Sequence, residues 1–378
     1  MKIAFVNFTP ILYDIDTPYI KPLGGSESAL CYLSEQLAAL GHEVIIFTKI
    51  KTKKVSRGVV CLPLERITSP IVGTLDILVV QNSPLQGYQI KPFLGEKCKL
   101  ILWSQHAFDQ PAVESLYQEE VRNSFDAVVL ISRWQLDSYI KVFSLKRQKC
   151  IIHKNAISPA FQNLFKNTKD LLAHKSIPSI LAYSSTPFRG LNLLVEMFPF
   201  IRREVPNITL RVFSSMKVYQ VSEKEDQKLN GGLYQRCRAI EGVEYVGSLS
   251  QTQLAKELSS VALFSYPNTF AETSCISVME AMASGSMVIT SDLGALPETT
   301  AGFGKLIPVT GNWQEYGRDF IQKNVTFMQK FSKPKERQII GKRLFAQVEY
   351  ANKNYNWATR AKEWEAWLTK LTNIKINK

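Results

Sequence analysis

The sequence predicts an α/β protein made of two doubly wound domains, and three observations support this fold class. Short apolar runs, typical of fully buried parallel strands, recur along the whole chain. Stretches with helical periodicity separate these runs, as in a parallel sheet covered on both faces. The chain has 378 residues, which is more than one hydrophobic core usually supports.

The first half alternates predicted strands with predicted helices. The strands are residues 2–8, 43–48, 75–81, 99–104, 127–131 and 150–153. The helices are residues 26–40, 111–123 and 133–143. Gly41 directly follows the first of these helices and provides a C-terminal stop.

A second alternating series follows residues 156–177, which lack periodicity and are expected to form a linker. Its strands are residues 179–183, 209–213, 243–246, 261–266 and 287–290. Its helices are residues 191–204 and 252–259, then helical stretches within 313–352 and a last helix at 357–371. Two such domains, each with a topological switch point, are expected to bind a ligand in the cleft between them.

The amino-acid composition limits which classes of protein this chain can belong to. No apolar run approaches the ~20 residues of a membrane-spanning helix, and the N-terminus is a strand without a signal-peptide cleavage site. The six cysteines are scattered without a C-x-x-C pair, which predicts reduced core thiols and a cytoplasmic protein. The net charge of +13 is concentrated in residues 323–343. Two explanations of this charge are equally good: attraction to an anionic membrane or lipid-linked substrate, and a basic surface that is simply solvated. Nucleic-acid binding ranks well below both, because few aromatic residues that could stack on bases lie among these lysines and arginines.

The most informative segment is residues 270–285, which carries Glu272 and Glu280 eight residues apart. Apolar strands precede and follow it, so Glu272 is expected in a loop and Glu280 about two turns into the next helix. The helix N-terminus between them offers free backbone N–H groups and partial positive charge, which suit a phosphate. One carboxylate placed there accepts hydrogen bonds from sugar hydroxyls and the other from a ribose.

This segment resembles the E-x7-E signature of the GT-B retaining glycosyltransferases of family 4, including the Glu-Ala-Met-Ala-Ser-Gly run after it. The resemblance implies a GT-B fold with an N-terminal acceptor-side domain of residues 1–160 and a donor domain of residues 161–354. It also implies that residues 355–378 return to pack on the first domain. By the same resemblance, Glu272 binds the sugar hydroxyls and Glu280 the ribose. The backbone amides expected near the sugar and phosphate belong to Thr273, Ser274, Cys275 and Ile276.

Three further sites of the family match this chain. Gly24 and Gly25 stand where relatives have a glycine loop that touches the donor diphosphate. His106 follows a predicted strand and is expected beside the transferred sugar. Arg189 is expected to open the first helix of the second domain and neutralise diphosphate. Ser184 occupies the position of a second family cation, so one positive charge is missing.

Asp14 and Asp16 form a D-x-D pattern, which binds a divalent metal in the other major glycosyltransferase fold. They lie far in sequence from Glu272, without further clustered carboxylates or histidines. We therefore expect loop structure or acceptor contact for them, and no metal and no cofactor for the enzyme.

The resemblance implies a retaining hexosyltransferase. From the donors most frequent in the family, we expect transfer of glucose from UDP-glucose to a polysaccharide or lipid-linked glycan. GDP-mannose or UDP-GlcNAc is the alternative donor. The competing classes are a nucleotide- or membrane-binding protein without transferase activity and a nicotinamide dehydrogenase. The latter lacks its glycine fingerprint here. The expected location is the cytoplasm, with peripheral contact to the inner face of the membrane as one explanation of the charge.

Overall fold

Two mainly parallel sheets organise the chain, each in its own unit. The structure is a computed structural model that describes residues 1–68 and 70–374. The first unit comprises Met1–Pro18, Gly24–Ala156 and Trp357–Lys378, and the second comprises Tyr19–Leu23 and Ile157–Asn356. Residues 375–378 of the predicted returning segment lie outside the described residues.

The first sheet has eight strands in the order β3-β4-β2-β1-β5-β6-β7-β8. They are β1 (Lys2–Asn7), β2 (Glu43–Thr48), β3 (Lys54–Ser56), β4 (Val59–Pro63), β5 (Ile77–Gln81), β6 (Lys99–Trp103), β7 (Ala127–Leu130) and β8 (Cys150–Ile152). All neighbours pair in parallel except β3, which pairs antiparallel with β4. Ile3 of β1 lies opposite Val44 on one side and Ile77 on the other. The strand order therefore reverses between β1 and β5, which makes this the switch point of the sheet.

Helices cover this sheet and continue its alternating pattern. After a single turn, α1 (Thr17–Ile20), they are α2 (Gly25–Ala39), α3 (Pro84–Ile90), α4 (Glu119–Ser124), α5 (Arg133–Phe143) and the C-terminal α14 (Trp357–Thr372). Helix α14 packs in the first unit through Trp364, whose ring lies 5.4 Å from Trp103 and 6.3 Å from Phe5. Since these rings are fully buried, α14 completes the apolar core of this unit.

The second sheet has six parallel strands in the order β11-β10-β9-β12-β13-β14. They are β9 (Ile180–Ser184), β10 (Thr209–Phe213), β11 (Val243–Tyr245), β12 (Leu263–Tyr266), β13 (Met287–Ser291) and β14 (Lys305–Ile307). The helices are α6 (Thr168–His174), α7 (Leu191–Glu204), α8 (Glu223–Ala239), α9 (Gln251–Ser259), α10 (Ile276–Ala283), α11 (Leu296–Thr300), α12 (Trp313–Phe331) and α13 (Pro334–Asn354). The switch point lies between β9 and β12, which are neighbours with the other strands arranged on either side.

The predicted fold class is confirmed, but several elements differ from the prediction. The hairpin of β3 and β4 was not predicted because Arg57 and Gly58 both take positive φ angles of 51° and 72° at its turn, without an Asn-Gly signal. Strand β14 and helix α8 were also missed. The helix predicted at residues 111–123 is interrupted by Gln118, which is extended and separates a 3₁₀ segment from α4. The expected linker contains α6, which Asn167 caps and whose Leu171 and Leu172 are buried.

Much of the positive charge lies on a basic helical hairpin, which we define as α12, α13 and the two residues that join them. Six of its lysines are exposed: Lys323, Lys330, Lys333, Lys335, Lys342 and Lys353. Arg337 differs, because its Nη2 donates to the carbonyl oxygens of Leu172 at 3.0 Å and Lys175 at 3.2 Å. Arg337 is therefore a structural contact of the second unit and not free surface charge. Among the described helices, none combines the length and apolar composition of a bilayer span.

His153, just after β8, is a buried titratable group of the first unit. Its buried ring stacks on Trp364 at 5.0 Å. Burial, and secondly the charge of Arg360, lower its pKa from 6.5 to about 3. Below pH 6.5, His153 therefore binds a proton in the unfolded chain but stays neutral in the folded chain.

We expect the free energy of unfolding of the first unit to fall as the pH drops from 6.5 towards 3. His153→Phe retains the stacked ring and removes the titration, so its stability should fall less over this range. His174→Phe, at an exposed position of α6 in the other unit, is the control. Thermal melts at several pH values measure the slopes, and equal slopes for His153→Phe and wild type would contradict this prediction.

Candidate active site

The candidate site in the second unit lies at its switch point. Arg189 follows β9 and Glu272 follows β12, so both leave the carboxyl ends of neighbouring parallel strands. Doubly wound sheets bind ligands at this position, because the loops there diverge to the two faces of the sheet. Helix α7 begins at Leu191, as predicted, and Arg189 lies in the turn that leads into it.

Arg189 and Glu272 form an ion pair. Nη1 of Arg189 donates to Oε1 of Glu272 at 2.6 Å, and the hydroxyl of Tyr266 donates to the same oxygen at 2.8 Å. The Glu272 carboxylate is almost fully buried, whereas the guanidinium is one-fifth exposed. Among the described residues, no hydrogen bond occupies the second carboxylate oxygen, Oε2, which remains available for a ligand.

Aromatic rings surround the guanidinium. Its carbon lies 4.7 Å from the ring centre of Phe270 and 5.7 Å from that of Phe188. Burial lowers the pKa of Arg189, but Glu272 raises it, and the net shift is upward. Nε of Arg189 is buried and has no hydrogen-bond partner within the described residues. A buried, unpaired donor beside an ion pair is the kind of group that a bound anion satisfies.

Close backbone contacts hold the loops that carry Arg189 and Glu272. Gly190 has φ +96°, and a Cβ there would overlap the carbonyl oxygen of Pro267. Gly294 has φ +63°, and a Cβ there would overlap the backbone of Glu272. The amide of Ala295 also donates to the Glu272 carbonyl at 2.6 Å. Glycine is required at both positions because backbone meets backbone without room for a side chain.

Helix α10 begins at Ile276 with Cys275 as its N-cap residue, and its first helical bond runs from the amide of Met279 to the carbonyl of Cys275. Thr273, Ser274 and Cys275 are buried in the segment leading into it. The helix N-terminus thus offers amide groups immediately after Glu272, as the sequence indicated.

Glu280 is the fifth residue of α10, little more than one turn into the helix and not about two turns as predicted. Its side chain is buried, and burial raises its pKa to about 8. Within the described residues no ion pair or side-chain hydrogen bond holds this carboxyl group. A buried acid without a partner is costly, which favours a role in binding.

The other predicted site residues lie in the first unit. Gly24 is the N-cap residue of α2 and has an ordinary φ of −58°. Backbone strain therefore does not explain why this residue is a glycine. Gly25 is exposed at the first helical position. His106 lies beyond β6, where its Nδ1 bonds Oε1 of Gln110 and its carbonyl accepts from Tyr139 at 2.9 Å. Of the predicted site residues, the structure thus brings Arg189 and Glu272 into direct contact. Gly24, Gly25 and His106 lie near strand ends of the other sheet.

Asp14 and Asp16 form an ion-paired cluster. Nζ of Lys54 lies 2.6 Å from Asp14 Oδ2 and 2.9 Å from Asp16 Oδ2, and Nε of Arg57 lies 2.8 Å from Asp16. These pairs tie the first loop to the β3–β4 hairpin. Across the described residues, no group of three or more His, Cys, Asp or Glu side chains has metal-site geometry.

Several polar groups of the site were not singled out from the sequence. Besides Tyr266 and the two glycines, four buried hydroxyls lack hydrogen-bond partners within the described chain and lie at or just beyond strand ends of the second sheet. They belong to Thr186, Ser214, Thr290 and Ser291. Their position at the ends of predicted strands was the available signal, because ligands bind at that edge.

Gly190→Ala should destabilise the second unit by about 2–5 kcal/mol, because it adds a clash with a backbone carbonyl to the strain of a positive φ. Gly311→Ala is the matched control: its φ is +89°, but nothing lies within 4 Å of the added Cβ. It should cost only ~1 kcal/mol. Denaturant unfolding measures both, and equal losses would show that the contact with Pro267 is unimportant.

The family model described as "Glycosyl transferases group 1" matches residues 178–318, which include Arg189, Glu272 and Glu280. One subunit of the phosphatidylinositol N-acetylglucosaminyltransferase of Arabidopsis thaliana is 23% identical over 307 residues, or 73% of this chain. The matched region spans 66% of the length of that relative.

Solved structures are similar over nearly the whole chain. A glycosyltransferase from Rickettsia africae ESF-5 superposes with a TM-score of 0.72 at 12% identity, covering 99% of each chain. HepE from Anabaena, in complex with UDP and glucose, gives a TM-score of 0.67 at 14% identity, covering 98% of this chain and 100% of that one. These likenesses establish the GT-B fold. The family model adds a match to group 1 glycosyl transferases over residues 178–318.

Proposed function

We propose that the chain is a retaining, metal-independent hexosyltransferase that uses a nucleotide-diphosphate sugar. The observation that carries this proposal is the Arg189–Glu272 pair at the switch point, immediately before the N-terminus of α10. A permanent cation and a set of helix amides suit a diphosphate, and a carboxylate oxygen beside them suits sugar hydroxyls. The match to group 1 glycosyl transferases covers these same residues.

Each donor group has a proposed partner in the second unit. Glu272 accepts hydrogen bonds from the sugar hydroxyls, and the amides of Thr273, Ser274, Cys275 and Ile276 serve sugar and phosphate. Arg189 binds the diphosphate through the nitrogens that Glu272 leaves available, and Glu280 accepts from the ribose hydroxyls. Gly24, Gly25 and His106 keep the roles that the sequence resemblance implies, which stay predictions.

In the proposed reaction the bond from the anomeric carbon to the diphosphate oxygen breaks. A new bond from that carbon to the acceptor hydroxyl oxygen forms on the same face. The acceptor proton passes to an oxygen of the departing diphosphate, so the products are a nucleoside diphosphate and a glycoside. Arg189 and the helix N-terminus stabilise the developing negative charge, the electrostatic task that a metal performs in other enzymes.

We propose UDP-glucose as the donor. In support, the structurally similar HepE was solved with UDP and glucose. UDP-GlcNAc is the alternative that the Arabidopsis relative's name favours, and GDP-mannose remains open. The proposed acceptor is a polysaccharide or lipid-linked glycan.

Product analysis tests the reaction itself. The protein is incubated with each candidate nucleotide sugar and a set of glycan acceptors in EDTA, and NMR identifies the anomeric configuration of the product. We expect retention and undiminished transfer in EDTA. Inversion would exclude the retaining mechanism. Loss of transfer in chelator that Mn²⁺ restores would exclude metal independence. Nucleotide binding without transfer to any acceptor would favour the alternative of a binding protein.

At pH 9, above the pKa of about 8 to which burial raises the Glu280 carboxyl group, Glu280→Gln should weaken UDP binding by about 1–3 kcal/mol, since it replaces charge-assisted bonds to the ribose with neutral ones. Calorimetry with UDP and with 2′,3′-dideoxy-UDP separates the ribose contact from other effects, because the dideoxy ligand should bind both proteins alike. Glu196→Gln, at an exposed position of α7, is the control. An equal loss for both ligands would remove Glu280 from the ribose.

The basic helical hairpin is proposed to attract an anionic membrane surface. Lys335, Ile339 and Lys342 lie at i, i+4 and i+7 on one face of α13, and Ile339 is 66% exposed. Lysines beside an exposed apolar side chain suit a lipid interface. A cytoplasmic location is part of this proposal, supported by the six cysteines, all of which are buried free thiols.

Reversing Lys333 and Lys335 to glutamate should reduce association with phosphatidylserine-containing vesicles and leave UDP affinity unchanged. Wild-type association should fall steeply with salt. The control reverses Lys224 and Lys228, two exposed lysines of α8, and makes the same charge change. Vesicle sedimentation measures the effect. Equal loss in both variants, or no association of the wild type at low salt, would indicate a merely solvated surface.

A further inference from the structure

The loop after β6 holds the ring of His106 through one neighbour, Gln110. Oε1 of Gln110 bonds Nδ1 of the His106 ring, and the backbone amide of Ala107 donates to the same oxygen at 3.1 Å. The amide of Gln110 in turn donates to the carbonyl of Ala107 at 3.2 Å and closes the turn. Pro111 comes next, and a residue before proline is restricted to extended conformations. Gln110 accordingly has φ −92° and ψ 138°, which fixes where its side chain begins.

These contacts determine which nitrogen of the His106 ring carries the proton. A backbone amide can only donate, so the part of Gln110 that faces the Ala107 N–H must be its carbonyl oxygen and not its NH₂ group. A carbonyl oxygen can only accept, so Nδ1 of His106 must donate to it. In the neutral ring the proton therefore lies on Nδ1, and Nε2 carries the lone pair. Neutral imidazole in water favours the opposite tautomer, so the bond to Gln110 selects this one.

The backbone that carries the ring is fixed by side chains of α5. The carbonyl of His106 accepts two hydrogen bonds, from Nε2 of Gln135 at 2.8 Å and from the hydroxyl of Tyr139 at 2.9 Å. Both donor residues are fully buried. These two bonds use both lone pairs of the carbonyl oxygen. Because the backbone is anchored in this way, the freedom that remains to His106 is rotation of its side chain, and the bond to Gln110 restricts that rotation.

We propose that Gln110 is a positioning residue of the transferase. It holds the His106 ring in one orientation and in the Nδ1–H tautomer, so that Nε2 accepts a hydrogen bond from a hydroxyl of the transferred sugar. The tautomer follows from the contacts of His106 and Gln110 alone, whereas the contact with the sugar rests on the proposed function. A neutral ring with its proton on Nε2 would donate at that position and could not accept.

Nitrogen NMR of the histidine rings tests the tautomer without any substrate. The chain has four histidines, so comparison with His106→Phe assigns the His106 signals. In the neutral ring of the wild type, Nδ1 should be protonated and Nε2 unprotonated. Gln110→Met is similar in length but cannot accept the bond, and the ring should then change to the Nε2–H tautomer.

Two further variants separate the acceptor oxygen from other effects of substitution. Gln110→Glu retains an oxygen that accepts from both the Ala107 amide and the ring, so Nδ1 should stay protonated. Gln89→Met makes the same change as Gln110→Met at an exposed position of α3, and it should leave the tautomer of His106 unchanged.

Steady-state kinetics test whether this arrangement matters for sugar transfer. Gln110→Met should lower kcat about tenfold, as expected when one oriented hydrogen bond is lost in the transition state. Its affinity for UDP should stay within about twofold of wild type, because UDP lacks the transferred sugar. Gln110→Glu should restore most of the rate. In the His106→Phe background, Gln110→Met should cause no further loss, since Gln110 acts through that ring.

An Nε2–H tautomer in the wild type, or the same tautomer in wild type and Gln110→Met, would overturn the proposal. An equal loss of rate from Gln110→Met with and without the His106 ring would show a purely structural residue and would overturn the positioning role. Failure of the proposed function gives a different result. If no nucleotide sugar supports transfer but the proton leaves Nδ1 in Gln110→Met, the transferase is rejected and the tautomer assignment stands.

Discussion

The ion pair between Arg189 and Glu272 is the interaction on which the second unit's site depends. It joins segments 83 residues apart in sequence, at the ends of the adjacent strands β9 and β12. Burying two charges is expensive unless further bonds compensate, and here the Tyr266 hydroxyl and the Phe270 ring do so. Because loss of either charge would leave the other uncompensated, the two loops are constrained to hold one arrangement.

Helix α10 is held at both ends. In the loop that leads into it, the Ala295 amide donates to the Glu272 carbonyl, and Gly294 permits that close approach. At its far end, the buried Nζ of Lys175 donates to the carbonyls of Ser284 at 2.6 Å and Ser259 at 3.0 Å. Burial, and secondly the charge of Arg337, lower the pKa of Lys175, while the helix C-termini favour its proton. The amides that would meet a phosphate therefore belong to a rigid element.

The sequence predicted what depends on local pattern. Apolar runs located most strands of both sheets, and the spacing of Glu272 and Glu280 indicated the candidate site, which stays a prediction. Contacts of individual residues were not predictable: nothing in the sequence around Tyr266 shows that it binds Glu272, and Gly190 resembles an ordinary turn glycine. The same applies to Arg337, which has the composition of surface charge but binds the carbonyls of Leu172 and Lys175.

The two switch points share a topology but present opposite chemistry. In the second unit, a guanidinium, two carboxyl groups and unpaired hydroxyls lie at or near the strand ends, a set that suits a charged, hydroxyl-rich ligand. In the first unit, amide side chains and aromatic rings line a cavity beyond β1 and β5, and no cation is among the described residues that line it. Because the parallel sheet fixes only where loops emerge, the residues just beyond each strand decide what is bound. An excess of positive charge over the whole chain therefore does not reveal the chemistry of a particular site. The residues that follow β1, β5, β9 and β12 do reveal it.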